Sequence, residues 1–264
     1  MKRIALLLVI VFSLFPLSGC KHLWGHSDED DDSPYKDMSA QQIYTEAKQK
    51  LTKHQYTEAI KRLEALDTLY PFNDKAEQAG IDLIYAYYKK EDYASCAASA
   101  ERFIHLYPRS PAIDYAYYMK GLANFNQTRG VIANILPLNI SKRDPGTQSQ
   151  AYSDFASLVQ KFPDSPYQPN ALQHMIFLRN SFAQRELNAA YYYYNRKMYV
   201  AAEERASYYL KTYPQAPHAK EALAVVYYSD LALHLNDAAN DALTVYQNNY
   251  HSKPKKPFDR SQEI

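Results

Sequence analysis

Thr68-Leu69-Tyr70-Pro71, His105-Leu106-Tyr107-Pro108, Gln160-Lys161-Phe162-Pro163 and Lys211-Thr212-Tyr213-Pro214 are four versions of one signal, an aromatic-proline pair closing an apolar-periodic run. Proline has no N–H to give a helix and pushes the residue before it out of the α region, so each pair marks a helix stop. Fifteen residues before three of these prolines stands a tyrosine, Tyr56, Tyr93 or Tyr199, and three residues after each tyrosine comes a small side chain, Ala59, Cys96 or Ala202. Before Pro163 the small position is kept as Ala151. A recurring spacing of this kind marks stacked helical hairpins, in which a small residue on the second helix lets the first approach closely. Second (B) helices are expected near 56–69, 93–106, 148–161, 199–211 and 237–250, and first (A) helices near 41–51, 78–89, 113–125, 168–194 and 216–235. The expected fold is all-α: an elongated, right-handed α-solenoid of five tetratricopeptide-like helix pairs, with units at about 39–72, 73–110, 111–166, 167–215 and 216–251. Unit three carries an extra loop at 127–147, with Gly130, Pro137 and Arg143-Asp144-Pro145-Gly146; unit four carries a longer A helix that ends in Tyr191 to Tyr194.

Composition agrees with helices. The chain of 264 residues has only six glycines, while Ala, Leu, Gln, Lys and Glu are abundant. Its 26 tyrosines suit an array without one dry core, because the ring packs while the hydroxyl reaches water or a neighbour. A net charge of +1 argues against a broad nucleic-acid surface.

The first residues carry an address. Lys2 and Arg3 precede an apolar run from Ile4 to Phe15, which suits a secretory signal and falls short of the roughly 20 residues of a spanning helix. The run ends in Leu17-Ser18-Gly19-Cys20, which resembles the bacterial lipobox; the competing reading is an ordinary cleaved signal with an incidental cysteine. The lipobox reading makes 1–19 a cleaved signal peptide and Cys20 the new N-terminus, carrying an S-diacylglycerol and an N-acyl chain. Several acyl chains give stable anchoring where one binds only marginally. Lys21 follows, and no Asp stands there to signal inner-membrane retention, so the expected location is the outer membrane, facing the periplasm. Residues 21–38, with Asp28-Glu29-Asp30-Asp31-Asp32, have nothing to bury and read as an acidic tether after the lipidated cysteine. Residues 252–264, with Pro254 and Pro257 among charges, read as a flexible tail.

Chemistry is sparse. The eight histidines include no His-Glu-x-x-His, and no Gly-rich phosphate loop or Gly-x-Ser-x-Gly elbow occurs, so no metal, cofactor or catalytic residue is expected. Cys96 occupies the small position of its repeat and reads as packing. Such a chain binds rather than catalyses; a hydrolase with an unrecognised site would need convergent acid-base groups in a pocket.

Several segments add a family resemblance. Leu83-Ile84-Tyr85-Ala86-Tyr87-Tyr88-Lys89, Arg102-Phe103-Ile104-His105-Leu106-Tyr107-Pro108, Ile113-Asp114-Tyr115 with Gly121-Leu122, and Arg143-Asp144-Pro145 resemble the BamD (YfiO or ComL) family, from Ile43 to about Tyr250. The resemblance implies a lipoprotein of the outer-membrane β-barrel assembly (BAM) machinery. Its C-terminal repeats would dock on the last periplasmic POTRA domain of the barrel subunit BamA, its N-terminal repeats would face unfolded outer-membrane proteins, and BamC and other BAM lipoproteins would be neighbours. By the same resemblance Arg205 and Tyr192 would contact the barrel subunit, and Tyr70 would line the substrate groove. The chain departs from the family pattern in an apolar stretch at 131–140 and a longer basic tail. The alternative function is a repeat lipoprotein that scaffolds peptidoglycan enzymes.

Overall fold

A computed structural model of the protein describes residues 34–127 and 146–257. Over these residues the chain forms ten α-helices and no strand: α1 (Ala40–Thr52), α2 (Tyr56–Leu69), α3 (Ala76–Lys89), α4 (Tyr93–Leu106), α5 (Ile113–Gln127), α6 (Gly146–Lys161), α7 (Gln168–Asn195), α8 (Tyr199–Thr212), α9 (Ala219–Ala232) and α10 (Asn236–Tyr250). Each helix packs on its neighbours in sequence, while α3 also touches α5 and α7 touches α9, so first helices meet across successive pairs. This is the expected elongated solenoid of five helix pairs. None of the helices is long and apolar enough to cross a membrane, among the described residues. The lipobox and Cys20, the acidic stretch at 28–32 and most of the 127–147 insertion lie outside the described residues; Gln127 closes α5 and Gly146 opens α6.

The spacing of small residues does its physical work. Ala59, Cys96, Ala151 and Ala202 are fully buried, and Ala239 takes the same place in α10. After three of the second helices the aromatic cap leaves the α region, with φ −137° and ψ 57° at Tyr70, −124° and 58° at Tyr107, and −124° and 52° at Tyr213. The carbonyls of these three and of Phe162 each accept an N–H three residues on, from Asn73, Ser110, Ala216 and Ser165 respectively, at 2.9–3.2 Å. Two of these turn residues reach back to the preceding first helix: Ser110 donates to Glu77 of α3 and Ser165 to Asp114 of α5. The latch repeats because the pairs repeat.

The turns between paired helices hold a device that no residue pattern announces. His54, Glu91, Lys197 and His234 take left-handed backbone, φ 56–64°, two residues before α2, α4, α8 and α10. In each, the next N–H bonds the carbonyl five residues back (Gln55 to Lys50, Asp92 to Tyr87, Met198 to Tyr193, Leu235 to Asp230) at 2.9–3.0 Å, a Schellman closure built without glycine. Histidine tolerates this conformation better than bulkier residues. With His218 and His251, four of the eight histidines serve left-handed turns rather than ligation.

Two ends differ from expectation. The last first helix starts at Ala219, not 216, because His218 (φ 77°) interrupts the chain while Tyr209 donates its hydroxyl to the Pro217 carbonyl. The segment after α10, expected to be flexible, is laid back over α9 as far as 257: Pro254 is buried, and its carbonyl accepts the Tyr228 hydroxyl at 3.0 Å. Residues 258–264 lie outside the described residues.

Apolar burial is divided among local clusters rather than pooled. One joins α1–α3 around Ile43, Leu63 and Leu66, and a second joins α3–α5 around Ile84, Phe103 and Met119. A third joins α5–α7 around Phe125, Phe155 and Leu178. A fourth joins α7–α9 around Leu187, Tyr191 and Tyr209, and a small one closes α9–α10 around Leu223 and Tyr246. Asp237, Asn240, Asp241 and Thr244 face water on α10, the polar outer face that a terminal repeat needs.

Candidate docking surfaces

The hairpin of α7 and α8 carries two of the expected contact residues, Tyr192 on α7 and Arg205 on α8. Arg205 projects from α8 and its Nη1 donates to Glu186 Oε2 of α7 at 2.9 Å, while the guanidinium side chain stays half exposed. Tyr193 lies close enough to Arg205 to act on it electrostatically, and Tyr192 packs edge-on against Tyr193 at 5.5 Å between ring centroids. Arg196 covers the Tyr192 ring at 4.5 Å. The run of four tyrosines is thus dealt around the helix at 100° a step: Tyr191 faces the core, Tyr192 faces out, and Tyr193 and Tyr194 sit between. Met198 and Val200, at the same end of the hairpin, are half exposed or more. The result is an apolar-aromatic surface with an arginine fixed at its edge, the composition of an interface anchor.

Tyr70 stands at the other end of the array and does something different. Its hydroxyl donates to the Met38 carbonyl at 2.7 Å, tying the segment before α1 onto the first cluster with Tyr35 and Met38. Two residues on, Phe72 is 99% exposed, the most solvent-facing large apolar side chain described. Beyond it a cleft between α2, α3 and α4 is lined by Leu63, Gly80, Leu83, Phe103 and Leu106, with the Asp67–Arg102 ion pair at its edge. The sequence signal for Phe72 was available, an aromatic placed just past a helix stop where no packing partner follows.

Most tyrosines serve packing. Tyr209 and Tyr246 are buried, Tyr44 donates to Asp82 at 2.9 Å, Tyr118 donates to Asn170 at 2.8 Å, and Tyr118 stacks on Tyr167 at 4.8 Å. His174 lies face to face with Phe155 at 5.1 Å and edge-on to Phe125 at 4.5 Å, filling space in the third cluster. Among the described residues, no three His, Cys, Asp or Glu side chains gather as metal ligands.

Cys96 is enclosed, its thiol donating to the Ile84 carbonyl at 3.4 Å. Burial, with Asp92 adding to it, pushes the thiol up to about 12, so the reactive thiolate is scarce at neutral pH. In a Cys20→Ala chain, native Cys96 is expected to resist an aromatic disulfide reagent at pH 7.5 and to react fully once urea unfolds the protein. Rapid labelling of the folded chain would contradict this placement.

Comparison with known proteins agrees with this architecture. A family model described as YfiO, outer membrane lipoprotein, matches residues 36–245. A Vibrio cholerae protein named outer membrane protein assembly factor BamD is 37% identical over 216 residues, which cover 82% of this chain and 89% of the relative. Proteins of the same name from Neisseria gonorrhoeae and Haemophilus influenzae are 34% identical over 223 residues (84% and 82% covered) and 31% identical over 262 residues (99% and 95% covered). With the family model matching most of its length and these identities sustained across the whole helical array, the chain belongs to the YfiO family of outer membrane lipoproteins.

Proposed function

We propose that this protein is a lipid-anchored scaffold of the outer-membrane β-barrel assembly machinery. It would hold the barrel subunit's periplasmic domain at one end of the solenoid and receive unfolded outer-membrane proteins at the other. The observation that carries this reading is the match across the entire array to relatives named outer membrane protein assembly factor. The α7–α8 hairpin supports the docking half of the proposal, since Arg205 and Tyr192 both stand half exposed on it. At the N-terminal end Tyr70 would shape the substrate groove by holding the segment before α1, leaving Phe72 as the exposed aromatic contact. Nothing in this reading asks the chain to catalyse or to hold a cofactor.

Recovery of native complexes in mild detergent tests it. The barrel subunit and its companion lipoproteins are expected to come with the protein; peptidoglycan amidases or synthases in their place would favour the cell-wall scaffold instead. Anchoring is proposed to rest on acylated Cys20 facing the periplasm, because several chains hold a protein at a membrane and one does so only weakly. Cys20→Ala is accordingly expected to move the protein from the outer-membrane fraction to the soluble periplasmic fraction. Full membrane retention of that variant would mean that docking, not lipid, decides its location.

A further inference from the structure

The strap that follows α10 closes a cavity that neither the repeats nor the docking hairpin requires. His251 ends α10 in left-handed backbone (φ 48°), turning the chain back, and the buried Pro254 pins it against Tyr228. Beneath lies a cavity of about 350 Å³ whose lining includes Lys220, Lys253, Lys255 and Lys256. Lys220 is held over the rings of Tyr246 and Tyr250, at 5.7 and 5.5 Å from their centroids. The carboxylate in the lining, Glu221, faces His218 Nδ1 at 3.2 Å. None of the four lysines makes an ion pair among the described residues. Ser252 lies in the wall too, with its hydroxyl turned away from the space and unpartnered among the described residues. All four lysines reach water, yet together they give the space a positive potential. An anionic guest neutralises it.

We propose that this cavity binds a phosphate group. Lysine ammoniums are compact, strongly hydrated point charges suited to phosphate oxygens. Tyr246 offers an apolar wall for the body that carries the phosphate. Pro254 and Pro257 fix the strap in advance, which lowers the ordering cost of binding. The phosphate could be free in solution or belong to a lipid headgroup.

Full-length chain with Cys20→Ala, free of acyl chains, separates these sources. Calorimetric titration with inorganic phosphate, at ionic strength held constant with chloride, is expected to give saturable heat. Lys220→Gln and Lys255→Gln are each expected to weaken binding on the order of tenfold, as for loss of a charge-assisted hydrogen bond. Flotation with phosphatidylcholine vesicles that contain phosphatidylglycerol, and not with phosphatidylcholine alone, would assign the site to a lipid headgroup. Phosphate binding without flotation would assign it to a soluble phosphate. Absence of both, affinity untouched in the variants, or a glutamate-rich peptide binding more tightly than phosphate would overturn the proposal.

Discussion

Gly121→Leu is expected to cost about 3 kcal/mol or more and to lower the urea midpoint accordingly, because there is no room for even the first carbon. A Cβ at Gly121 would lie 2.7, 2.8 and 3.1 Å from three atoms of the Phe155 ring. Phe155 is fully buried and stacked on His174, so it has nowhere to turn without breaking the third cluster. Gly80 is the comparison. Its Cβ would meet Phe103 at 3.0 and 3.5 Å, a contact that a small shift relieves, and the roughly 1 kcal/mol that alanine gains over glycine in a helix offsets the strain. Gly80→Ala is therefore expected to be near neutral. An unchanged midpoint for Gly121→Leu would mean that α5 and α6 are not pressed together as described.

The largest functional effect is expected from Arg205→Glu. Truncating a well-placed interface arginine commonly costs about 2 kcal/mol or more, and reversing its charge adds repulsion against the carboxylate it would have met. A loss on the order of hundredfold in affinity would remove the barrel subunit from a detergent co-purification. The fold should survive, since the side chain is half exposed and, among the described residues, its one ion pair is to Glu186. That pair also supplies a control. Glu186→Gln releases Arg205 from its intramolecular carboxylate, and docking is expected to persist or tighten. Undiminished recovery of the barrel subunit with Arg205→Glu would end the assignment of this hairpin, whereas loss in both variants would point to the shape of the hairpin rather than its charge.

The helices were readable in the sequence because their stops and their small contact positions are spelled by particular residues. Tyr70-Pro71 and its three counterparts cannot continue a helix, and Ala59, Cys96, Ala151 and Ala202 mark where two helices must touch. The α9 start was misplaced because a left-handed histidine at 218 leaves no compositional trace. The same holds for His54, Glu91, Lys197 and His234, where a glycine would have announced the turn. The two candidate docking residues were named only through family resemblance: Arg205 and Tyr192 are thirteen positions apart, on different helices, and no local pattern links them. Glu186, the partner of Arg205, could not be named without that geometry. Tyr70, expected in a substrate groove, spends its hydroxyl on Met38, and the exposed aromatic two residues on is Phe72. The strap at 251–257 escaped because prolines among lysines have the composition of a loose end, and only the bond from Tyr228 shows otherwise.

Helix α7 runs unbroken for 28 residues, about 42 Å at 1.5 Å per residue. Its first half, with Ala171 and Leu178, belongs to the third cluster, and its second half, with Leu187 and Tyr191, to the fourth. An array assembled from short hairpins would flex at every junction; here one rod is cemented into two neighbouring blocks. A push delivered at Tyr192 therefore arrives at Leu178 as rotation of a stiff lever rather than being absorbed in a hinge. That rod sets the distance and angle between the two blocks it joins, as a ruler does.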